Sequence, residues 1–200
     1  MTALWGPMGW MTLHSISVNY PESPTFADMQ ILDRFMNAFG ESISCPHCKE
    51  DFAKMFPKYK NSHPEWNTSK YNLFLAIVRM HNTVNKKLDK PRARTVAAAI
   101  EMLRNATNIT TPAEFRQRYI DYLIRNWSGY RHSSLGVIAL NYARELNKIN
   151  SEYWNLRESS YVDFPEADIY DVVMNYNTAK LTRPNMDMNK FVKGIFGRRK

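Results

Sequence analysis

Apolar residues near the start of the chain recur every three to four positions, which is the spacing of amphipathic helices. The pattern predicts a first helix from about Met8 to Asn19, with Pro7 in its first turn and the proline-rich segment 20–24 after its end. A second helix is predicted from about Thr25 to Phe39, and Gly40 is expected to end it. Each helix has an apolar face that needs a packing partner.

Two further helices are predicted by the same spacing. The third opens at Ser44-Cys45-Pro46 and gives way to a loop between Pro57 and Trp66. The fourth runs from about Ser69 to Leu88, and Pro91 follows its end. Four helices of this length complete an antiparallel bundle, which we predict for residues 1–92.

The rest of the chain is also helical in pattern, with predicted helices at 95–105, 112–127 and 133–157. The stretch from Ser159 receives no element, and the end of the chain is predicted to be mobile. With only seven glycines and no alternating apolar and polar runs, a β fold is disfavoured. We predict an all-α fold: a four-helix bundle (1–92), a C-terminal helical region of unknown role (93–180) and a basic tail (181–200).

Charge and hydropathy limit the binding partners and the cellular locations that are expected for this chain. The 27 Lys+Arg residues exceed the 19 Asp+Glu, and part of the excess lies in the tail. A solvated tail is favoured over contact with phosphate groups, nucleic acid or an anionic membrane, and nucleic acid is not an expected partner. No apolar run approaches the length of a membrane span, and no secretory signal pattern is visible at the N-terminus. A cytoplasmic location is therefore expected.

The two cysteines are the sharpest feature of the composition, because they lie in one motif, Cys45-Pro46-His47-Cys48. A secreted disulfide framework needs more cysteines, so this pair indicates one dithiol with a chemical role. Two thiols across one helical turn can close a disulfide, and a helix N-terminus favours the thiolate. The charge of His47 can add to that effect. Two buried, inert cysteines are the disfavoured alternative.

Three interpretations of such a cysteine pair remain open. A thioredoxin-like enzyme is one, since Pro-His is a familiar interior of its motif, but that fold needs a strand before the motif and residues 30–39 have a helical pattern. A zinc site is another, with His63 and His81 as further ligands, although their spacing matches no common zinc signature. No metal is therefore predicted. The third is a bound redox cofactor.

The fourth predicted helix favours the cofactor. His81 and Asn85 lie one turn apart on one face, and Asn82 is adjacent. Two amides and an imidazole are unfavourable to bury without partners, and a flat heteroaromatic ligand with donors and acceptors would provide them. Trp10 and His14, on the first helix, could form the opposite wall.

These motifs together resemble the Erv/ALR family of FAD-linked sulfhydryl oxidases. The resemblance covers about the first ninety residues, and its four elements occur in the family's order. They are Trp5-Gly6-Pro7-x-x-Trp10-x-x-Leu13-His14, Tyr20-Pro21, Cys45-x-x-Cys48 and His81-Asn82-x-Val84-Asn85.

The resemblance implies a four-helix bundle that binds FAD at one end, usually as a homodimer, and oxidises thiols of protein substrates with molecular oxygen, giving hydrogen peroxide. It implies that Cys48 lies against the flavin ring and that Cys45 meets the incoming thiol. The flavin-holding residues implied are Trp10, His14, His81, Asn82 and Asn85, with Lys87 near the phosphates.

The chain also departs from the cellular members. It has no further shuttle dithiol, and Ala76 stands where the family often has a tryptophan of the adenine pocket. A short, shuttle-free enzyme with an extra helical region resembles the large-DNA-virus members, which implies disulfide formation in virion proteins in the cytoplasm, or packaging in the virion. Aromatic residues of the second half are expected in the core or a dimer interface, and two histidines at the surface. The aromatic residues are Trp127, Tyr130, Tyr142, Tyr153 and Trp154, and the histidines are His63 and His132.

Overall fold

The computed structural model describes residues 2–107, 110–157 and 164–174, and all regular structure in these ranges is helical. The predicted all-α fold is confirmed. The tail at 181–200, with its predicted mobility, lies outside the described residues. The helices are α1 (Thr2–Asn19), α2 (Phe26–Ser42), α3 (Pro46–Ser62), α4 (Lys70–Lys87), α5 (Val96–Thr107), α6 (Pro112–Ser128) and α7 (Ser134–Glu152), followed by a short 3₁₀ turn at Trp154–Leu156.

Side-chain caps fix where several helices begin. Thr25 caps α2 and forms a reciprocal capping box with Asp28, and Thr111 does the same for α6 with Glu114. Ser69 and Ser133 accept hydrogen bonds from the third residues of α4 and α7. These short polar residues mark the helix starts that the sequence pattern placed to within a residue or two.

Three boundaries predicted from proline or glycine are wrong, and at Gly40 and Pro57 packing overrides the local signal. Pro7 lies inside α1, which begins at Thr2, rather than in its first turn. Gly40 does not end α2, which continues to Ser42; a Cβ at Gly40 would come within 2.9 Å of the ring of Phe52, so the glycine permits close approach of α3. Pro57 lies inside α3, which continues and buries Tyr59 in the core.

The first four helices enclose the main core, and the second half of the chain extends it. α1 packs against α4 and α6, α2 packs against α3 and α7, and α6 and α7 form an antiparallel hairpin. Leu13 and Phe35 of the first half share one apolar cluster with Tyr119, Leu146 and Trp154 of the second. The hairpin thus covers α1 and α2, while the division at residue 92 stays a prediction.

A second, smaller cluster forms where α5 and the segment 164–174 cover the other face of α4. Phe74 and Val78 of α4 pack there with Val96, Ile100 and Ile169. No described helix is both long and apolar enough to cross a lipid bilayer.

Candidate redox site

Cys45 and Cys48 form a disulfide at the N-terminus of α3, with 5.3 Å between their Cα atoms. Cys45 is the N-cap residue, and its Sγ accepts a hydrogen bond of 3.4 Å from the backbone N–H of Cys48. Pro46 occupies the first helical position, where a missing N–H removes no hydrogen bond. The predicted pairing and its position at a helix start are therefore both present.

The electrostatic setting of the disulfide favours thiolates. The first turn of α3 contains no acidic residue, so the partial positive charge of the helix N-terminus acts on the two sulfurs uncompensated. Lys49 follows Cys48, but its ammonium pairs with the Glu41 carboxylate at 2.7 Å and also donates to the Glu41 carbonyl. Pro46 and His47 are exposed, so the motif faces solvent on this side.

The ring side chains predicted to hold a flavin meet one another between α1 and α4. Nε2 of His14 lies 2.9 Å from Nδ1 of His81, and one of the two donates a hydrogen bond to the other. The indole of Trp10 stacks on the His81 ring, with 4.4 Å between centroids and an angle of 9° between planes. Sequence reasoning placed Trp10 and His14 opposite His81, and the helices bring them into contact.

Burial keeps both imidazoles neutral near physiological pH. Removal from water lowers the pKa of His14 to about 4. The pKa of His81 is held well below its usual value, chiefly by burial, then by the repulsion between protons on His81 and His14, and by the charge of Lys90. A neutral imidazole offers one donor and one acceptor, which suits an uncharged heteroaromatic partner better than an anion.

The two predicted amides are satisfied by the turn after α4. Asn82 donates to the Ala93 carbonyl at 2.7 Å and accepts from the Ala93 N–H at 3.1 Å. The side-chain amide of Asn85 donates to the Pro91 carbonyl at 3.1 Å. Protein groups thus provide the partners that the sequence interpretation assigned to a ligand; the two residues shape the chain beside His81, and their contact with a cofactor stays a prediction.

Lys87 pairs with a residue that the sequence analysis did not consider. Its Nζ lies 2.6 Å from the carboxylate of Asp51, and both side chains are largely buried. Asp51 lies three residues after Cys48 on α3, so the ion pair joins the C-terminal end of α4 to the helix of the disulfide. The predicted contact of Lys87 with a phosphate stays a prediction.

The site contains a buried polar atom with no hydrogen-bond partner in the described part of the chain. This atom is Nδ1 of His14, on the side of the ring away from the bond to His81. The cavity beside His14 measures about 10 Å³, room for one water-sized group and too small for a flavin. A flat heteroaromatic cofactor fits the polar groups present here, which are the unpartnered Nδ1 of His14, the two neutral imidazoles and the indole face of Trp10.

The structure also bears on the other hypotheses for the dithiol. The element before the motif is the helix α2, whereas a thioredoxin-like enzyme has a strand there. His81 contacts His14 and Trp10, while His63 stacks on Tyr59. Across the described ranges, no three His, Cys, Asp or Glu side chains come together as metal ligands would.

The comparisons with known proteins agree with this geometry. Residues 7–104 match the model of the Erv1/Alr family, a range that contains the disulfide and all the predicted flavin-holding residues. A probable FAD-linked sulfhydryl oxidase of Acanthamoeba polyphaga mimivirus is 30% identical over 99 residues, which are 50% of this chain and 68% of that protein. No solved structure matched the chain.

Cellular relatives match at similar identity. The mitochondrial FAD-linked sulfhydryl oxidase of Saccharomyces cerevisiae is 33% identical over 87 residues, 44% of each chain, and that of Schizosaccharomyces pombe is 34% identical over 86 residues, 43% of this chain and 46% of its own. The chain thus spans about half the length of these two relatives. The match over two thirds of the viral protein, together with the family model, shows that this chain belongs to the Erv1/Alr family.

Proposed function

We propose that this protein is an FAD-linked sulfhydryl oxidase that forms disulfide bonds in thiol-bearing protein substrates, using molecular oxygen and releasing hydrogen peroxide. The observation that carries the proposal is the Cys45–Cys48 disulfide at an uncompensated helix N-terminus, within the range that matches the family. The alternative outside the enzyme class is a helical virion or scaffold protein with a degenerate oxidase domain. Such a protein would not need to retain both the redox-active pair and the ring side chains of the wall predicted for the flavin, and both are present.

The first step follows from thiol chemistry. A substrate thiolate attacks Sγ of Cys45, forming a mixed disulfide and releasing the thiolate of Cys48. The 200 residues contain no third cysteine, so the substrate reaches Cys45 without a shuttle dithiol from this chain. The exposed residues Pro46 and His47 leave the motif open to an incoming segment.

The second step depends on the N-cap hydrogen bond. Another substrate thiolate attacks the substrate sulfur of the mixed disulfide, so that the substrate disulfide forms and Cys45 leaves as a thiolate. The N–H of Cys48, 3.4 Å from that sulfur, stabilises the leaving group together with the helix N-terminus. The pair is then fully reduced and holds the two electrons taken from the substrate.

Trp10, His14 and His81 would hold the flavin, with Asn82, Asn85 and Lys87 shaping the chain around it. When bound, FAD supplies the two-electron acceptor that returns the dithiol to a disulfide and passes the electrons to oxygen. The neutral imidazoles of His14 and His81 leave this wall uncharged, and the partly buried indole of Trp10 covers the His81 ring on one side.

A finer placement among the relatives belongs to the same proposal. The missing shuttle dithiol and the extra helices support a role like that of the large-DNA-virus members, acting in the cytoplasm or at a site of virus assembly. Sequence identity does not distinguish a viral role from a cellular one, because viral and fungal relatives are identical to this chain to similar extents. A homodimer is proposed from the family alone, and light scattering of the purified protein would test it.

Oxygen uptake tests the proposed reaction. With dithiothreitol and with a reduced, unfolded protein as substrates, the FAD-loaded protein is expected to consume one oxygen and to release one peroxide for each disulfide formed. A flavin-free thiol–disulfide oxidoreductase would instead exchange disulfides without consuming oxygen, and that result would overturn the proposal.

A further inference from the structure

We infer that Tyr122 and Trp127 of α6 are positioning residues for the redox-active pair, acting on the connection between α2 and Cys45. The inference rests on the proposed function, because it concerns the same disulfide. It adds residues from outside the range 7–104 that matches the family, and it assigns a role to the C-terminal hairpin.

Both side chains bond directly to the connection. The indole N–H of Trp127 donates to the carbonyl of Ser42, the last residue of α2, at 2.8 Å. That carbonyl is one of the helix-end acceptors that no intrahelical donor can reach. The hydroxyls of Tyr122 and Ser44 share a hydrogen bond of 3.0 Å, so α6 holds the residue directly before Cys45.

The remaining parts of the connection are also anchored. Ile43, between the two bonded serines, is 3% exposed and belongs to the main core. Lys49, on the first turn of α3, donates to the Glu41 carbonyl on the last turn of α2. The backbone around Cys45 is therefore anchored before the cysteine by side chains of α6, and after it by Lys49 of α3.

Such anchoring matters more for the disulfide than for the dithiol. A disulfide confines the two Cβ atoms to a narrow range of separations, whereas two free thiols accept many arrangements. A connection held in the matching position raises the effective concentration of one thiol at the other. Loosening the connection is expected to shift the equilibrium toward the reduced pair, while the fold stays intact.

The test measures the thiol–disulfide equilibrium of the full chain in glutathione redox buffers without oxygen, with acid quenching, alkylation and mass analysis of the Cys45–Cys48 peptide. The variants Tyr122→Phe and Trp127→Phe keep an aromatic ring and each remove one hydrogen bond. From the usual net contribution of one hydrogen bond, we expect each to lower the equilibrium constant for disulfide formation by about threefold to tenfold. Tyr119→Phe is the matched control, since the hydroxyl of this buried α6 tyrosine has no hydrogen-bond partner among the described residues.

A double-mutant cycle tests whether Tyr122 and Ser44 act on the disulfide through the same hydrogen bond. Ser44→Ala removes the same hydrogen bond as Tyr122→Phe from the other side, so the double variant is expected to match either single variant. Lower thermal stability with an unchanged glutathione equilibrium in both aromatic variants would overturn the inference. If the wild-type pair fails to exchange with glutathione at all, the proposed function itself fails, and the two failures are thereby distinguished.

Discussion

Nε2 of His14 on α1 lies 2.9 Å from Nδ1 of His81 on α4, so two buried imidazoles share one hydrogen bond across the bundle. Only one ring can donate the shared proton, and a proton on both facing nitrogens would break the bond. The pair therefore joins the two helices that carry the proposed flavin wall only while at least one of the facing nitrogens is unprotonated.

The first prediction concerns acid stability. Since burial lowers the pKa of His14 from 6.5 to about 4, the unfolded chain binds a proton that the folded chain rejects between these values. The free energy of unfolding is expected to be unaffected by this group above pH 6.5 and to fall as the pH decreases toward 4, by about 1.4 kcal/mol for each unit of the pKa shift. Denaturant unfolding of the flavin-free protein across this range measures the slope.

Two variants test whether His14 causes that pH dependence. His14→Gln keeps a hydrogen-bonding group that does not titrate, and we expect it to reduce the slope without abolishing it, because burial also lowers the pKa of His81. His132→Asn removes an exposed histidine and is expected to leave the dependence unchanged. An equally steep slope in His14→Gln would show that protonation of His14 does not contribute to acid unfolding.

The second prediction separates electron entry from cofactor binding. Cys48→Ser is expected to bind FAD as the wild type does, but to lose oxygen uptake with dithiothreitol down to the background rate, because no intramolecular disulfide can form. Cys45→Ser should lose turnover in the same way. Flavin absorbance of the purified variants, measured beside oxygen uptake, distinguishes a lost reaction from a lost cofactor; full turnover in Cys48→Ser is incompatible with the proposed roles.

The third prediction concerns Asn82. Its amide makes one bond to the carbonyl and one to the N–H of the buried Ala93, so Asn82→Ala leaves both backbone groups without these partners. The expected loss of stability is roughly 2–4 kcal/mol. Asn61→Ala, at an exposed position on α3, is the control and should change stability little. Thermal or denaturant unfolding measures both; an unaffected Asn82→Ala would show that the 88–93 turn does not depend on this side chain.

The fourth prediction concerns a buried cation between α1, α6 and α7. Arg116 is 1% exposed, and its guanidinium donates to four neutral oxygens, those of Ser15, Asn19, Asn150 and Asn155. Burial lowers its pKa to about 10, which leaves it charged at neutral pH.

Arg116→Lys keeps the charge but cannot reproduce the planar fork, so several acceptors lose their donors. A loss of roughly 2–4 kcal/mol in unfolding free energy is expected. The exposed Arg125 allows a matched control in Arg125→Lys, which should be close to neutral. Equal stabilities of the two variants would contradict a role for the Arg116 network in holding the hairpin on α1.

The comparison of sequence with structure shows which local signals can be trusted in this chain. Capping residues such as Thr25 and Ser69 predicted helix starts well, because the bonds they make are local. Proline and glycine signals failed at Gly40 and Pro57, because the ring of Phe52 and the burial of Tyr59 decide those positions through contacts distant in sequence. No residue pattern near Gly40 reveals that α3 passes within contact of it.

In the candidate site, too, positions that follow from spacing within a helix were predictable, and contacts with segments distant in sequence were not. The spacing on α1 and α4 led to the prediction that Trp10 and His14 face His81 as opposite walls of a ligand, and the structure places the three rings in direct contact. The spacing could not show that Asn82 already has backbone partners, nor that Tyr122 and Ser44 are bonded, since both depend on how later segments fold back. Among the aromatic residues of the second half, Tyr153 and Trp154 are buried as expected, whereas Tyr130 is 51% exposed.

The central claim is that the Cys45–Cys48 pair delivers substrate electrons to a bound flavin. The most direct measurement is the near-ultraviolet and visible absorption spectrum of the purified, FAD-incubated protein, followed in air after dithiothreitol is added. The account predicts a bound flavin band that bleaches with the thiol and returns when the thiol is exhausted, and no bleaching on this timescale in Cys48→Ser. A protein that stays colourless after incubation with FAD, or a flavin that bleaches equally fast without Cys48, would contradict it.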